Sequence, residues 1–448
     1  MERLRPPKSV LDIAGRLEAA GYEAWCVGGA IRDALAGGHP LDWDLATTAT
    51  PAQVIEVFSR RRTIPVGIEF GTVSVLDDDG IAREITTFRR DVRTDGRHAE
   101  VEFGVSLDDD LARRDFTINA IAFRPRTQEL RDPYGGRDDL AAKLVRAVGD
   151  PEQRMREDRL RALRAIRFAA RFDFAIDPAT HAAIEHSAPH LTRLSAERVQ
   201  QELVKTMEQV NRPGHALRLW RDVGALAVLV PAVATIDDLA LSTLDALPRQ
   251  RDASVHPQRT INRLAALFLD TPVAAARQAL TDLRMSKHQI AWVTSIAATW
   301  QEIGIDLRDT LHAGTPTAEQ VRRWLARIGR LHAGSFLRIA EARWRVERES
   351  GARVPSAASV RALHRSMRRS GFSDPLHVAD LQIGGDDLRR LGIPAGPIYA
   401  KILQALLERV LEDPARNTPE TLLAEVPRIA AAASPGLKVK SVHPSTPK

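Results

Sequence analysis

Two carboxylates, Asp42 and Asp44, stand two residues apart in Leu41-Asp42-Trp43-Asp44-Leu45. On a strand that spacing puts both on one face, because side chains alternate with period two. Leu41, Trp43 and Leu45 are then expected on the opposite face, in the core. Two acids on one exposed face repel each other unless a cation lies between them. Hard oxygen ligands of this kind suit Mg²⁺, which keeps its other positions for water and substrate phosphates. Just upstream, Val27-Gly28-Gly29-Ala30-Ile31-Arg32-Asp33 reads as a strand ending in a glycine pair that opens a helix. Glycines there let backbone N–H groups approach a phosphate, and a helix start favours negative charge. Arg32, one turn into that helix, is placed to add a second phosphate contact.

Arg113-Arg114-Asp115-Phe116-Thr117-Ile118-Asn119-Ala120 fits two readings. One is a solvated helix start capped by Asp115 or Thr117; the other is an arginine pair holding a triphosphate. Farther on, Arg156-Glu157-Asp158-Arg159-Leu160-Arg161-Ala162-Leu163-Arg164-Ala165-Ile166-Arg167-Phe168 has helical periodicity. Asp158, Arg161, Arg164 and Arg167 step by three, each step falling ~60° short of a full turn, so the row winds around the helix. It spans ~13 Å, the reach of an extended nucleotide, with one end free to read a base and the other to hold phosphate. Leu160, Leu163 and Ile166 follow a parallel course and seat the helix. The competing reading is a solvated arginine face pairing with Asp and Glu neighbours.

The elements that must position these residues differ between the two parts of the chain. From about 20 to 145, short β-like runs (Tyr22 to Val27, Thr72 to Leu76, Arg83 to Thr87, Val101 to Phe103) alternate with helical segments. Gly37-Gly38, Asp78-Asp79-Gly80, Asp95-Gly96 and Gly135-Gly136 supply the turns. After about 146 the pattern is helical, with breaks expected near Asn211 to Gly214, Val230-Pro231, Gly314 to Pro316, Val354-Pro355 and Gly392 to Pro397. Trp220, Trp292, Trp300, Trp324 and Trp344 fall in these helices, where core packing is favoured over base stacking. Residues 433–448, rich in Pro, Ser and Lys, read as a disordered tail.

Composition sets the outer limits. The 448 residues are 44% hydrophobic and 27% charged, which excludes a wholly disordered chain. A single cysteine, Cys26, in the apolar run Ala24-Trp25-Cys26-Val27, excludes an internal disulfide and a thiolate cluster, and reads as a buried hydrophobe. Lys and Arg total 64 against 58 Asp and Glu, a net charge of +6, and only eight of the 64 are lysines. Genome base composition explains much of that bias, so only the placement of particular arginines carries a functional meaning. No secretory core follows Met1, and no stretch approaches the ~18 apolar residues of a membrane span, so no membrane partner and a reducing cytoplasmic location are expected.

Together these segments resemble the tRNA nucleotidyltransferase and poly(A) polymerase family in its bacterial branch. The resemblance rests on Gly28-Gly29-Ala30-Ile31-Arg32-Asp33, Asp42-Trp43-Asp44, Arg113 to Ala120, Asp132-Pro133-Tyr134-Gly135-Gly136, Glu157-Asp158 to Arg161, and Ala196-Glu197-Arg198 to Glu202, in that order. It is close over roughly residues 20–210. Beyond them, Asp386-Asp387-Leu388 to Gly392-Ile393-Pro394-Ala395-Gly396-Pro397 and Asn417-Thr418 look like the C-terminal region of the CCA-adding members.

The resemblance implies an α+β chain: a nucleotidyltransferase (polymerase-β-like) α/β head at 1–145, then an all-helical neck at 146–215, body at 216–350 and tRNA-binding tail at 351–432. It implies template-independent addition of CCA to the tRNA 3′ acceptor end from CTP and ATP, with release of pyrophosphate. The alternative is a poly(A) polymerase or a partial, CC- or A-adding enzyme. Asp42 and Asp44 would hold two Mg²⁺, one activating the RNA 3′-hydroxyl and the other neutralising pyrophosphate. Gly29, Arg32 and Arg114 would contact ribose and triphosphate. Asp158 and Arg161 would read the Watson–Crick edge of the base, and Arg164 and Arg167 would support the nucleotide. Cytosine and adenine each pair an exocyclic amine with an unprotonated ring nitrogen, so a carboxylate and an arginine can accept and donate; uracil and guanine reverse that pattern. Asp115 and Glu84 are both candidates for a third carboxylate. Arg89-Arg90-Asp91 to Asp95-Gly96-Arg97-His98 resembles the mobile loop that serves A addition. The resemblance assigns no oligomeric state.

One departure stands out. Relatives often carry an HD phosphohydrolase domain after the neck, and Arg263 to Asp270 looks like its remnant, with Leu269 in the place of the histidine. A structural body is expected there, with His256 a surface or packing residue. Outside this family, an Asp-x-Asp glycosyltransferase or a catalytically idle RNA-binding module would use the same acids or arginines. The first has no need of Arg113-Arg114-Asp115, and the second has no need of Asp42 and Asp44.

Overall fold

The computed structural model describes residues 4–94, 99–247 and 257–434. These fall into two units: one runs to Ile236 and includes Ala279–Met285, and the other comprises Asp237–Gln278 and the residues from Ser286 onward.

The first unit begins with α1 (Lys8–Ala19), β1 (Ala24–Val27), α2 (Gly29–Leu35), β2 (Asp44–Thr47) and α3 (Pro51–Phe58). Strands β3 (Thr63–Ile64), β4 (Thr72–Leu76) and β5 (Ala82–Thr87) follow, then a separate hairpin of β6 (Arg89–Thr94) and β7 (Ala99–Phe103). Helix α4 (Leu107–Ala112), β8 (Ala122–Arg124), β9 (Glu129–Arg131) and α5 (Gly136–Ala141) complete the α/β part. Seven strands form one sheet in the order β3-β4-β5-β2-β1-β8-β9. All its neighbours are antiparallel except β2 and β5, which run parallel. Both faces are covered. Cys26, Ile31, Trp43, Leu45, Val73 and Ile85 pack on one side, and Trp25, Val27, Ala46, Phe88 and Leu111 on the other. Burial, with Asp44 adding, pushes the Cys26 thiol up to about 12, so it stays protonated and inert, as a packing residue should.

The Asp-x-Asp segment departs from the simple alternation. Strand β2 begins at Asp44, paired with Val27, and Asp42 precedes it. Gly28, at φ 76°, turns the chain away just after Val27, so β1 offers no further partner. Trp43 and Leu45 are buried as expected, but Leu41 is 85% exposed. Its segment is held by backbone instead: the Leu41 carbonyl accepts from Arg83 Nη1 at 2.6 Å, and the Pro40 carbonyl from the Trp43 indole at 2.9 Å.

Short strands β10 (Leu144–Val145) and β11 (Ala175–Ile176) pair in parallel and interrupt the all-helical pattern expected after 146. Between and after them lie α6 (Pro151–Glu157), α7 (Leu160–Phe172), α8 (Pro178–Ser187), α9 (Ala196–Gln209), α10 (Pro213–Asp222) and α11 (Ala225–Leu229). Leu163, Ala165, Ile166 and Ala162 on α7 are buried, the seating that its apolar course requires.

The second unit is helical: α12 (Asp238–Ala246), α13 (Pro257–Leu267), the start of α14 (Val273–Asp282), α15 (Lys287–Ala313), α16 (Ala318–Ile328), α17 (Ala333–Glu349), α18 (Ala357–Ser373), α19 (Gly385–Arg390), α20 (Pro397–Glu412) and α21 (Pro419–Ala433). Helices end at the breaks named from sequence. Trp220, Trp324 and Trp344 are buried, while Trp292 and Trp300 are half-buried. Leu269 is a core residue, and Asp270 accepts from the Trp300 indole at 3.2 Å and Arg343 at 2.9 Å. Ala433 closes α21; His256, Asp95 to His98 and residues 435–448 lie outside the described residues. Among the described residues no helix is long and apolar enough to cross a membrane.

Candidate active site

A cleft of about 540 Å³ opens in the first unit. Gly28 and Gly29 at the β1–α2 turn, Arg32 on α2 and Asp44 at the start of β2 line one side. Arg113, Arg114, Asp115 and Asn119 come from the segment after α4. Asp158 and the α7 residues Arg161, Arg164 and Arg167 line another part of it. Of the metal and nucleotide residues singled out from sequence, Asp42 and the candidate third carboxylate Glu84 are missing from that lining.

Gly28 is required by geometry. Its φ of 76° suits glycine, and a Cβ there would stand 3.3 Å from Arg114 Nη1. The turn therefore brings Arg114 and Asp44 against bare backbone. Gly136 has a different reason: a Cβ would meet the Thr117 carbonyl oxygen at 2.1 Å. The Asp132 carboxylate accepts from the Gly136 and Arg137 amides, so the Asp132 to Gly136 turn clamps the Thr117–Asn119 segment in place.

The carboxylates gather where β2 begins. The β2–β5 register pairs Leu45 with Ile85 and so brings Glu84 beside Asp44. Burial raises the Asp44 pKa to about 6, with exposed Asp42 and Glu84 adding to the rise and Arg114 opposing it. Like charges raise a carboxyl pKa because both cannot ionise cheaply at close range. That repulsion is what a hard divalent cation relieves, and the donor set is all oxygen. Among the described residues, no three His, Cys, Asp or Glu side chains form a cage by themselves. The corner thus fits a cation that shares its coordination with water and phosphate.

Asp115 is committed elsewhere. Its Oδ2 accepts from Arg164 Nη2 at 2.6 Å and Nε at 2.9 Å, and its Oδ1 from Asn119 Nδ2 and the Phe116 amide. Burial pushes its carboxyl up, but the Arg164 charge and these hydrogen bonds outweigh it and hold the pKa below the ordinary value. A group depressed in this way stabilises the fold above about pH 4 and loses that contribution as the pH falls. Asp115→Ala strands Arg164 and is expected to cost about 3 kcal/mol at pH 7, read by urea unfolding. An unchanged midpoint contradicts this role.

Asp158 and Arg161 share the cleft, and the Arg161 amide donates to the Asp158 carbonyl at 3.0 Å, but their side chains bond to other partners. Asp158 lies in a break between α6 and α7, with φ −148°, so the row does not start on the helix. Its Oδ1 accepts from the Leu160 amide at 3.0 Å, a capping geometry that Asp favours, and its Oδ2 from Arg198 Nη2 at 2.7 Å. Arg161 donates to the Arg113 carbonyl at 2.8 Å and to Glu157 Oε2 at 2.8 Å. The arginines of this row are thus individually fixed, closer to the ion-paired reading than to a bare cationic ladder, yet they face the cleft.

Residues 24–146 match the poly A polymerase head domain, and residues 173–236 the probable RNA and SrmB- binding site of polymerase A. The CCA-adding enzyme of Latilactobacillus sakei subsp. sakei (strain 23K) is 35% identical over 92% of this chain and 96% of its own length. This chain belongs to the CCA-adding enzyme family. The Bacillus stearothermophilus CCA-adding enzyme, solved in complex with CTP, superposes with a TM-score of 0.73 at 30% identity, covering 95% of this chain and 98% of that one. With the Enterococcus faecalis CCA-adding enzyme identity rises to 44%, over 46% of this chain and 50% of the relative. The fold of the CCA-adding family, a polymerase-β-like head with a helical remainder, is therefore the fold of this chain, and enzymes of this family use divalent metals.

Two buried acids that hold the cleft arginines from behind were given no role by the sequence alone. Asp110, with its side chain 1% exposed, binds Arg113 at 2.7 Å and Arg114 at 3.1 Å. Burial raises its pKa, but Arg114 and then Arg113 outweigh that and leave it low. The i,i+3 and i,i+4 spacing from Asp110, in the last turn of α4, to the arginines just past its end was the available signal. Glu202, also buried, accepts from Arg167 Nε at 2.7 Å and lies 4.0 Å from Arg164. That pairing is hidden in the sequence because β11 and α8 intervene and the partners stand 35 residues apart.

Proposed function

We propose that this protein is a CCA tRNA nucleotidyltransferase: it adds C, C and A to the tRNA 3′ end from CTP and ATP, without a nucleic-acid template, and releases pyrophosphate. The observation that carries the reading is that Asp44 and the Asp158, Arg161, Arg164 and Arg167 row line one cleft. The family relationship, and the names of relatives solved with CTP, ATP and tRNA, support it.

Asp42 and Asp44 hold the catalytic metal pair, Mg²⁺ by the hardness of their oxygens. When bound, that pair supplies a lowered pKa at the attacking 3′-hydroxyl and charge neutralisation at the phosphates. Arg114, held by Asp110, and Arg32, held by Asp33 and Asn119, orient the triphosphate beside the Gly28-Gly29 backbone. Asp158 accepts from the exocyclic amine of C or A, and Arg161 donates to the neighbouring ring nitrogen. Arg164 and Arg167 support the nucleotide from the same helix. U and G meet donor against donor and acceptor against acceptor, and a desolvated mismatch leaves polar groups unpaired. The protein side chains thus take the place of a template.

The head at 1–145, neck at 146–215, body at 216–350 and tail at 351–432 divide this work, and the family head match that ends at 146 supports the first boundary. A tRNA substrate implies a cytoplasmic enzyme. For the tail, α18 supplies a specific RNA contact. Arg361, Arg365 and Arg368 recur at i, i+4 and i+7, all exposed, and Phe372 continues the stripe at 90% exposure. The helix carries no acid. Replacing the three arginines with alanine is expected to weaken tRNA binding and to reduce the slope of log affinity against log salt by about 2–3. An unaltered slope in a filter-binding titration contradicts that contact.

The function is tested by incubating the purified protein with tRNA lacking its 3′ end and with each NTP separately. Incorporation of C, and of A after C, is expected. Long A tracts on unrelated RNA would show a poly(A) polymerase, and C alone or A alone a partial enzyme.

A further inference from the structure

Three guanidiniums from two elements meet on one aromatic ring. Phe168, a buried α7 residue at the cleft, has Arg167 at 4.5 Å, Arg32 at 5.1 Å and Arg164 at 5.4 Å from its ring centroid. The ring is itself fixed, edge-on to Phe116 at 5.7 Å and stacked on Phe172 at 6.1 Å. Phe172 adds a second face for Arg32, at 4.6 Å.

No single carboxylate holds all three arginines; Arg32 reaches the Asp115–Arg164 pair only through Asn119, which accepts from Arg32 Nη1 at 2.6 Å and donates to Asp115 Oδ1 at 2.9 Å, and the ring acts beside that polar link. Asp33 holds Arg32, Asp115 holds Arg164, and Glu202 holds Arg167 with Arg164 at its margin. The negative face of an aromatic ring attracts each cation, most strongly where water is excluded. That attraction offsets part of the like-charge repulsion between Arg32, on α2, and the α7 pair. Arg32 stands with the Gly28-Gly29 turn, and Arg164 stands with the α7 row, so the ring spans the two halves of the cleft.

We propose that Phe168 is a positioning residue that keeps the phosphate-side guanidinium of Arg32 in register with the base-side guanidiniums of Arg164 and Arg167. This rests on the nucleotide-site reading above. The consequence is specific: both halves of the cleft must engage one nucleotide at once, and that simultaneous engagement is what Phe168 secures. A ligand that fills only the phosphate half does not need the register.

The test compares the wild type with Phe168→Leu, which keeps an apolar side chain without a π face, and with Phe168→Tyr, which keeps the face. Steady-state kinetics are measured with CTP, then ATP, on tRNA ending one step short, together with inhibition by tripolyphosphate. Phe168→Leu is expected to raise the KM for both nucleotides about tenfold, to lower kcat less than threefold, and to shift the tripolyphosphate inhibition constant less than twofold. Phe168→Tyr is expected to restore the wild-type KM. Should Phe168→Leu lower the melting temperature, Phe168→Met, nearer in volume, takes its place with the same expected pattern. An unchanged KM overturns the proposal, and so do equal losses for tripolyphosphate and CTP, or a Tyr variant as impaired as the Leu one; the ring then only fills space. Wild-type protein that incorporates neither nucleotide instead sinks the function on which the proposal rests.

Discussion

Asp44→Ala is expected to lower nucleotide incorporation by ~1,000-fold or more while tRNA lacking its 3′ end still binds with near wild-type affinity. The magnitude follows from losing several kcal/mol of charge stabilisation at the phosphates, at about 1.4 kcal/mol per tenfold. RNA binding is spared because it rests on cationic side chains, not on this acid. A second consequence has the opposite sign. The folded pKa of about 6 lies above the ordinary 3.8, so the folded chain holds a proton there that the unfolded chain has released. Stability conferred by the protonated form is complete below about pH 4 and lost as the pH rises through about 6. At pH 7 the ionised Asp44 therefore costs the fold about 1–3 kcal/mol. Asp44→Asn, which keeps the shape and removes the charge, should be as inactive as the alanine variant and yet more stable. A melting curve at pH 7 without added metal reads this directly, and an Asn variant less stable than wild type contradicts the crowding of acids at this corner.

Asp158→Ala is expected to lower the preference for C and A over U and G by ~100-fold, with RNA affinity changed less than threefold. A site that hydrogen-bonds the correct base can reject the wrong one by ~10⁴ or more, because mismatched polar groups are stranded out of water. Removing the acceptor that receives the exocyclic amine forfeits a large share of that discrimination. The geometry adds a detail: Asp158 also caps the Leu160 amide and holds Arg198. Asp158→Asn keeps the cap but presents an amide to the base and loses the charge pair, so it should still lose selectivity while keeping more of the melting temperature than Asp158→Ala. Competing the four nucleotides at equal concentration measures the ratio, and unchanged ratios in both variants remove the base-reading role.

The sequence carried the local geometry well. Strand β4 runs from Thr72 to Leu76 as its alternation implies, and the glycine turn before Arg32 follows from residue type alone. The helix breaks at Pro213, Pro231 and Pro397 were equally plain, because proline suits the first turn of a helix and is disfavoured in its interior. Legibility failed where a long-range contact overrode a local pattern. Leu41 follows the β alternation yet lies in water, because its carbonyl, not its side chain, is the anchor, and Arg83 is the partner. Asp158 fits a helical row yet stands outside the helix, because its carboxylate does more for the fold as a cap. Asp115 looks like a further acid for a metal, and only the fold shows it spent on Arg164, a residue far along the chain. Glu84 reaches Asp44 through a parallel strand pairing that no sequence period encodes.

What ties these residues together is the claim that side chains alone dictate which nucleotides are joined, and in what order. Sequencing the 3′ ends of tRNA, initially lacking all three terminal nucleotides, after incubation with an equal mixture of the four NTPs and Mg²⁺ tests it most directly. Ends reading C-C-A, with growth stopping there, are the expected result. Ends carrying U or G, or running on into A tracts, would contradict it.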